Sequence, residues 1–178
     1  MIFAAFWPLF DSIPDGEQQF SGAGLARPET RLEIAYFSPF FRLVENLLAR
    51  NVSLTDISPR QFEKLLADLL DADGYSVTLG KGAKDGGVDV WAERELPGIG
   101  LYAVAWQAKH PLPKNRVRIG VVRELAGVRA EREASKGMIA TTTYLTKDAL
   151  EMVKRHKYTL GKVDKDDLME WMARISRG

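Results

Sequence analysis

The chain has 178 residues, 46% of them hydrophobic and 28% charged, with a formal net charge of +1, which are the proportions of one globular domain with a short appendage. It has no cysteine, which excludes a disulfide framework, a zinc ribbon and thiol catalysis. With only His110 and His156 as imidazoles, any metal would need oxygen ligands, which favours magnesium-like ions.

The opening "MIFAAFWPLF" is apolar until it meets Asp11. Spanning a bilayer takes ~20 apolar residues. A signal peptide would show a basic start and a small-residue cleavage site, and neither is evident. The segment reads as one that docks on the domain or on a partner, with a membrane-surface contact as the weaker alternative. No membrane partner and a cytoplasmic location are expected. Residues 11–30 are rich in Gly, Pro and polar side chains and read as a linker. The expected division is residues 1–50, of unassigned role, and a folded domain over 51–178.

Apolar spacing predicts a helix from about 39 to 50. A second begins at "SPRQ": Ser58 caps, Pro59 takes the first helical position and Gln61 closes a capping box. Phe62, Leu65, Leu66, Leu69 and Leu70 form its buried face, and Gly74 suits a left-handed end. The period then changes to two. Strands are expected over 75–79, 88–93 and 101–109, the last two joined as an antiparallel hairpin by Leu96-Pro97-Gly98. A helix over 117–134 should bury Val121, Val122, Leu125 and Val128. A strand over 138–142, a helix capped by Thr146 and reaching about 157, a strand over 158–163 and a closing helix over 166–175 complete the pattern. The order implies an α/β layered domain with a mixed sheet.

Charge is uneven along the chain. Residues 1–57 carry four basic and seven acidic side chains, and the remainder 21 and 17. Between Lys109 and Arg123 stand five basic residues (Lys109, Lys114, Arg116, Arg118 and Arg123) and no acid. Such a strip fits either a polyanion partner or an ordinary solvated face.

Polar residues interrupt two of the apolar strands, at Asp89 and at Gln107-x-Lys109. Side chains two apart on a strand share a face about 7 Å apart. Gln107 and Lys109 therefore project together, and the hairpin can set Asp89 beside Gln107, with Val88 and Val90 on the opposite face from Asp89. A carboxylate and an amide oxygen can ligate a hard divalent cation, and an ammonium can position or activate water against a phosphodiester. Glu63 borders the apolar stripe of its helix, where it could look toward that site or serve as a surface glutamate.

These residues resemble the PD-(D/E)xK nuclease superfamily, and within it the Mrr-like restriction endonuclease catalytic domain. The resemblance rests on "SPRQFEKLLADLLDADGYSV", "KDGGVDVWAE", "AVAWQAKH", "VRIGVVRELAGV", "KGMIATTTYLTKDAL" and "LMEWM", over about residues 57–176. It implies a three-layer α/β/α restriction-endonuclease-like fold with a central mixed sheet, and magnesium-dependent cleavage of DNA, with manganese as a substitute. By motif position Asp89 would ligate the metal, Gln107 would take the place of the second acidic ligand, Lys109 would be the catalytic lysine and Glu63 the helix glutamate completing the site. Asp85, Gly86 and Gly87 would form the turn beside the scissile phosphate, and no chemistry is assigned to Thr141, Thr142 or Thr143. Ala108 stands where relatives often carry cysteine and is expected to face the core. The partner implied is double-stranded DNA, contacted by Lys114, Arg116, Arg118 and Arg123, with a homodimer needed if both strands are cut together. The alternatives are a catalytically silent DNA- or protein-binding module of the same fold, and a junction resolvase or repair nuclease.

Overall fold

The computed structural model describes residues 39–80 and 87–177. In chain order the elements are α1 (Pro39–Leu48), α2 (Pro59–Ala72), β1 (Ser76–Leu79), β2 (Val90–Leu96), β3 (Gly100–Lys109), α3 (Ile119–Glu131), β4 (Lys136–Thr141), α4 (Lys147–Arg155), β5 (Leu160–Val163) and α5 (Lys165–Ile175). The strands form one sheet in the order β1-β2-β3-β4-β5. β1, β2 and β3 run antiparallel to one another in turn, and β3–β4 and β4–β5 pair in parallel. The expected mixed sheet and the β2–β3 hairpin are both present.

Helices cover both faces. Against one face pack Val44 and Leu47 of α1, the Phe62 to Leu70 stripe of α2, and Leu168 and Met172 of α5, meeting Val90, Ala92, Val104 and Trp106. On the other, Val122 and Leu125 of α3 and Ala149 and Val153 of α4 meet Ala105 and Ile139. The result is three layers, α/β/α. Each fully buried Leu or Phe stabilises the fold by roughly 1.5–3 kcal/mol. Ala108 packs on the first core, as the alternation requires.

Local chemistry explains the ends. Ser58 Oγ accepts from the Gln61 amide and Gln61 Oε1 accepts from the Ser58 amide, closing the expected capping box. Gly74 ends α2 with φ +82. Asp164 caps α5 in the same reciprocal way with Asp167.

Four expectations need correction. First, α3 begins at Ile119 rather than 117, because Val117 exchanges backbone hydrogen bonds with Tyr144 and Thr146 in a short bridge. Val122 and Leu125 are fully buried there, but Val121 and Val128 only partly. Second, Thr146 takes the N-cap position of α4 as expected, but its hydroxyl makes no capping bond to the helix and donates to the Val117 carbonyl. Third, Tyr158 stays 82% exposed, because a turn on the His156 carbonyl delays β5 until Leu160. Fourth, Val88 and Val90 do not share a face. Val88 packs with the α3 side and Val90 with the α2 side, since Gly87 at φ +85 and a bend at Asp89 keep these residues out of regular alternation.

Residues 1–38, and with them the apolar opening and the linker, lie outside the described residues, as do Asp85 and Gly86. Among the described residues no helix is long and apolar enough to cross a membrane.

Candidate active site

The two polar interruptions meet where β2 begins and β3 ends. The ladder pairs Val90 with Trp106. One residue earlier the Asp89 amide donates to the Trp106 carbonyl at 2.8 Å, and the Ala108 amide donates to Asp89 Oδ2 at 2.7 Å. The Asp89 carboxylate is thereby fastened to the strand that carries Gln107 and Lys109. Its own carbonyl accepts from the Gly80 amide at 2.8 Å, so the end of β1 also supports it.

The electrostatics of Asp89 show what lies around it. Burial pushes its carboxyl above the usual range, the Ala108 amide opposes that, the Glu63 charge adds to it, and Lys109 and Arg60 pull it back down. Glu63, Lys109 and Arg60 therefore all stand within electrostatic reach of one half-buried carboxylate. Glu63 reaches this neighbourhood from α2 and is held by Arg60, whose Nη1 lies 2.6 Å from Glu63 Oε2 and 3.2 Å from the Gly80 carbonyl. Arg60 thus ties α2, the end of β1 and the Asp89 turn together. Reading the sequence for charge missed it, although its spacing of three from Glu63 on one helix was a visible signal.

Gln107 is 1% exposed, and its Oε1 has no hydrogen-bond partner among the described residues. A buried, unsatisfied amide oxygen costs free energy in a folded protein unless something else uses it. Its Nε2 lies toward Gly87, where an added Cβ would come within 3.2 Å of that nitrogen and 3.0 Å of Glu124 Oε1 on α3. Glu124 was not found from the sequence, because nothing local relates it to β3.

Lys109 is partly buried, and its carbonyl accepts from the Thr142 amide at 3.3 Å where β3 and β4 end together. Thr141, Thr142 and Thr143 are buried there. Lys109 also lines a groove of about 470 Å³ between the end of β3 and the start of α3, with His110, Asn115, Arg116, Arg118 and Val121. His110 is structural at one nitrogen, since its Nε2 lies 2.9 Å from the Leu54 carbonyl and donates to it. Of the four cations expected to meet DNA, Arg116 and Arg118 line the groove. Lys114 is exposed and not part of its lining, and Arg123 on α3 is likewise exposed and outside it. Arg116 also sits 5.7 Å above the Tyr144 ring.

Among the described residues no three His, Asp or Glu side chains converge as a metal-binding group. The oxygen donors on this pair of strands are the Asp89 carboxylate and the unpartnered Gln107 Oε1, donor types that suit a magnesium-like ion, which keeps several waters and takes one or two protein carboxylates.

A mixed five-stranded sheet between helical layers, with an Asp at the start of one hairpin strand and Gln-x-Lys at the end of the other, defines the restriction-endonuclease fold class. Residues 54–172 match the Mrr_cat family of restriction endonucleases, and the chain belongs to that family. Its fold is similar to that of the DNA modification-dependent restriction endonuclease AspBHI, with a TM-score of 0.58 at 18% identity over 89% of this chain and 41% of that one. MspJI restriction endonuclease, solved in complex with a 27-mer oligonucleotide, aligns with a TM-score of 0.46 at 19% identity over 82% of this chain and 30% of that one. A curated relative, the uncharacterized protein y4cE of Sinorhizobium fredii, is 28% identical over 124 residues, which are 67% of this chain and 31% of y4cE. The chain spans less than half the length of each of these proteins.

Proposed function

We propose that this chain is a metal-dependent DNA endonuclease that hydrolyses phosphodiester bonds in restriction of foreign DNA. The observation that carries the reading is Gln107: a fully buried amide whose oxygen is left without a partner among the described residues, one ladder position from the half-buried Asp89 and two residues from Lys109. Folding alone gives no return for that arrangement.

In this reading Asp89 and Gln107 hold a magnesium ion, with manganese able to replace it. The ion, when bound, neutralises phosphate charge and acidifies water. The chain's own side chains do the remainder. Asp89 is oriented by the Ala108 amide and needs its carboxyl deprotonated. Lys109, held at its carbonyl by Thr142, directs its ammonium at the attacking water or at charge developing on the phosphate. Glu63, kept in place by Arg60, completes the acidic side of the site. By motif position Asp85, Gly86 and Gly87 are assigned to the scissile phosphate. Arg116 and Arg118 carry the double-stranded DNA along the groove, with Lys114 and Arg123 as outlying phosphate contacts. One site per chain cuts one strand at a time, so a double-strand break requires a homodimer or two visits.

One observation favours a second reading, a silent DNA-binding module: the glutamine at position 107 in place of an acid. Cleavage of supercoiled plasmid with magnesium or manganese separates the two. The wild type is expected to nick, and Asp89→Ala and Lys109→Ala to slow nicking at least about a hundredfold, the order of effect of removing an acid–base or charge-stabilising group. Their circular dichroism should stay unchanged. A wild type inert on unmethylated, methylated and branched DNA, yet still binding DNA, would establish the silent module.

A further inference from the structure

We propose that Leu112 is a wedge that enters the base stack of bound DNA beside the site, so that the chain holds most tightly where a duplex is easiest to unstack. The proposal rests on the reading of the chain as a DNA-binding nuclease given above.

Position comes first. The large apolar side chains exposed among the described residues are Ile99, Leu101, Leu112, Tyr144 and Tyr158. Ile99 and Leu101 stand where β3 starts, and Tyr158 precedes β5, which runs parallel to β4 and β3. Those three lie at the far end of the sheet from Lys109. Tyr144 lies at the same end as Lys109, but Arg116 covers its ring and its hydroxyl donates to Asp166 Oδ1 at 3.0 Å. Leu112 is 74% exposed and joins neither core. A lone exposed leucine is ordinary on a protein surface, and it is the mounting of this one that gives it a role.

Leu112 stands between Pro111 and Pro113. The proline rings fix their own φ, and a residue before proline is confined to extended backbone. The Asn115 amide donates to the Leu112 carbonyl at 2.8 Å and closes the turn. Little backbone freedom is left to lose on binding. The turn joins the two stretches that line the groove, Lys109 to Pro111 and Asn115 to Arg118. Its surroundings are cationic, with Lys109, Lys114, Arg116 and Arg118 and no acid between Lys109 and Arg123. Those charges can hold a phosphate backbone, and a leucine cannot. Duplex DNA offers an aliphatic side chain two apolar surfaces, thymine methyls in the major groove and the faces of the base pairs. A stiff projecting tip suits the second, which is reached by parting a base step. One leucine buries too little surface to hold a partner protein or a membrane by itself. On DNA the backbone contacts supply the affinity, and the wedge adds a preference for steps that open easily.

Binding of the full chain to short labelled duplexes, read by fluorescence anisotropy with EDTA present to prevent cleavage, tests this apart from activity. Three duplexes are compared: one perfectly paired, the same sequence with one central mismatch, and a perfectly paired thymine-rich one. The first two carry a fluorescent adenine analogue at the central step, which brightens when it is unstacked. The proteins are wild type, Leu112→Ala and Leu112→Phe. Leu112 is exposed, so their thermal melts should overlay. The wild type is expected to bind the mismatched duplex on the order of tenfold more tightly than the perfect one and to brighten the analogue, since a weakened step costs less to open. Leu112→Ala should bind both alike, leave the analogue dark and keep the wild-type salt dependence, because a leucine neutralises no phosphate. Leu112→Phe should retain the preference. A wild type with no preference, or a preference that Leu112→Ala retains, would overturn the wedge and leave the nuclease reading standing. A Leu112-dependent preference for the thymine-rich duplex with a dark analogue would overturn it in favour of methyl contacts. A changed salt slope in Leu112→Ala would also overturn it, since the loop's cations would then have moved. No binding of any duplex by the wild type would overturn both readings.

Discussion

At the scale of single residues, the site is built from side chains whose placement costs stability. Asp89 is the clearest case. Burial first, and the Glu63 charge as well, raise its carboxyl above the usual range, against the help of the Ala108 amide, Lys109 and Arg60. A carboxyl whose folded pKa exceeds its unfolded value binds its proton more tightly in the native state. Its charge therefore costs stability at neutral pH, and the cost disappears as pH falls through the raised folded value. Asp89→Asn removes that charge and keeps an oxygen for the Ala108 amide. In metal-free buffer the variant is expected to melt at or above the wild-type temperature at pH 7, with the difference closing as the solution is acidified toward the ordinary aspartate range. A variant that melts lower at pH 7, with a gap that widens in acid, would contradict this. Gain of stability with loss of nicking in one substitution is the signature of a group kept for function.

At the scale of elements, the position of α3 matters most, because it begins beside Arg118 and borders the groove at Val121. Its distance from the sheet is set by Gly137 on β4. A Cβ there would lie 3.0 Å from Leu125 Cγ, 3.3 Å from Leu160 Cδ2 and 3.4 Å from Arg129 Cβ. Gly137→Ala therefore forces α3 away from β4. Overpacking of this kind costs about 1–3 kcal/mol, which urea denaturation will read as a lower midpoint. An unchanged midpoint would mean that α3 rides on the sheet more loosely than these distances allow. On the opposite face α2 and α5 pack through their apolar stripes and are also joined by polar contacts. The Asp73 carboxylate accepts from Trp171 Nε1 at 2.7 Å and from both terminal nitrogens of Arg174 at 2.7 and 2.6 Å. Both layers that flank the site are therefore held by close apolar packing, with a bidentate ion pair joining α2 to α5 on one side.

At the scale of the whole molecule, a net charge of +1 cannot steer DNA to the protein, so any electrostatic binding must be local. In the proposed reading the groove holding Lys109, Arg116 and Arg118 is the local source. DNA affinity should fall with salt, and the joint change Arg116→Ala and Arg118→Ala should reduce the slope of log affinity against log salt by up to about 0.9 for each phosphate that is no longer neutralised. The weakening should be equal for unrelated duplexes, as measured by fluorescence anisotropy. A weakening confined to one sequence would mean that these arginines read bases rather than phosphates.

How much of the molecule is legible in its sequence follows from the range of the forces involved. Local sequence determined the elements and their order. Ser58-Pro59-Arg60-Gln61 specifies a capping box, the Phe62 to Leu70 spacing specifies a buried stripe, and Leu96-Pro97-Gly98 specifies the hairpin that brings Asp89 toward Gln107. The family motifs placed Asp89, Gln107, Lys109 and Glu63 by position. Misreadings fell where a non-local partner outcompeted a local preference, as when the Val117 carbonyl captured the Thr146 hydroxyl expected to cap α4. Alternation failed at Val88 because one glycine with positive φ and the bend that follows it reset the facing of the chain. Three features of the candidate site belong to the tertiary structure alone: the unpartnered Gln107 Oε1, the hold of Arg60 on Glu63 and Gly80, and the close approach of Gly87 to Gln107 Nε2 and Glu124. Caps, stripes and turns are set by residues within a few positions of one another, whereas burial, charge proximity and close approach depend on which layers the fold brings together.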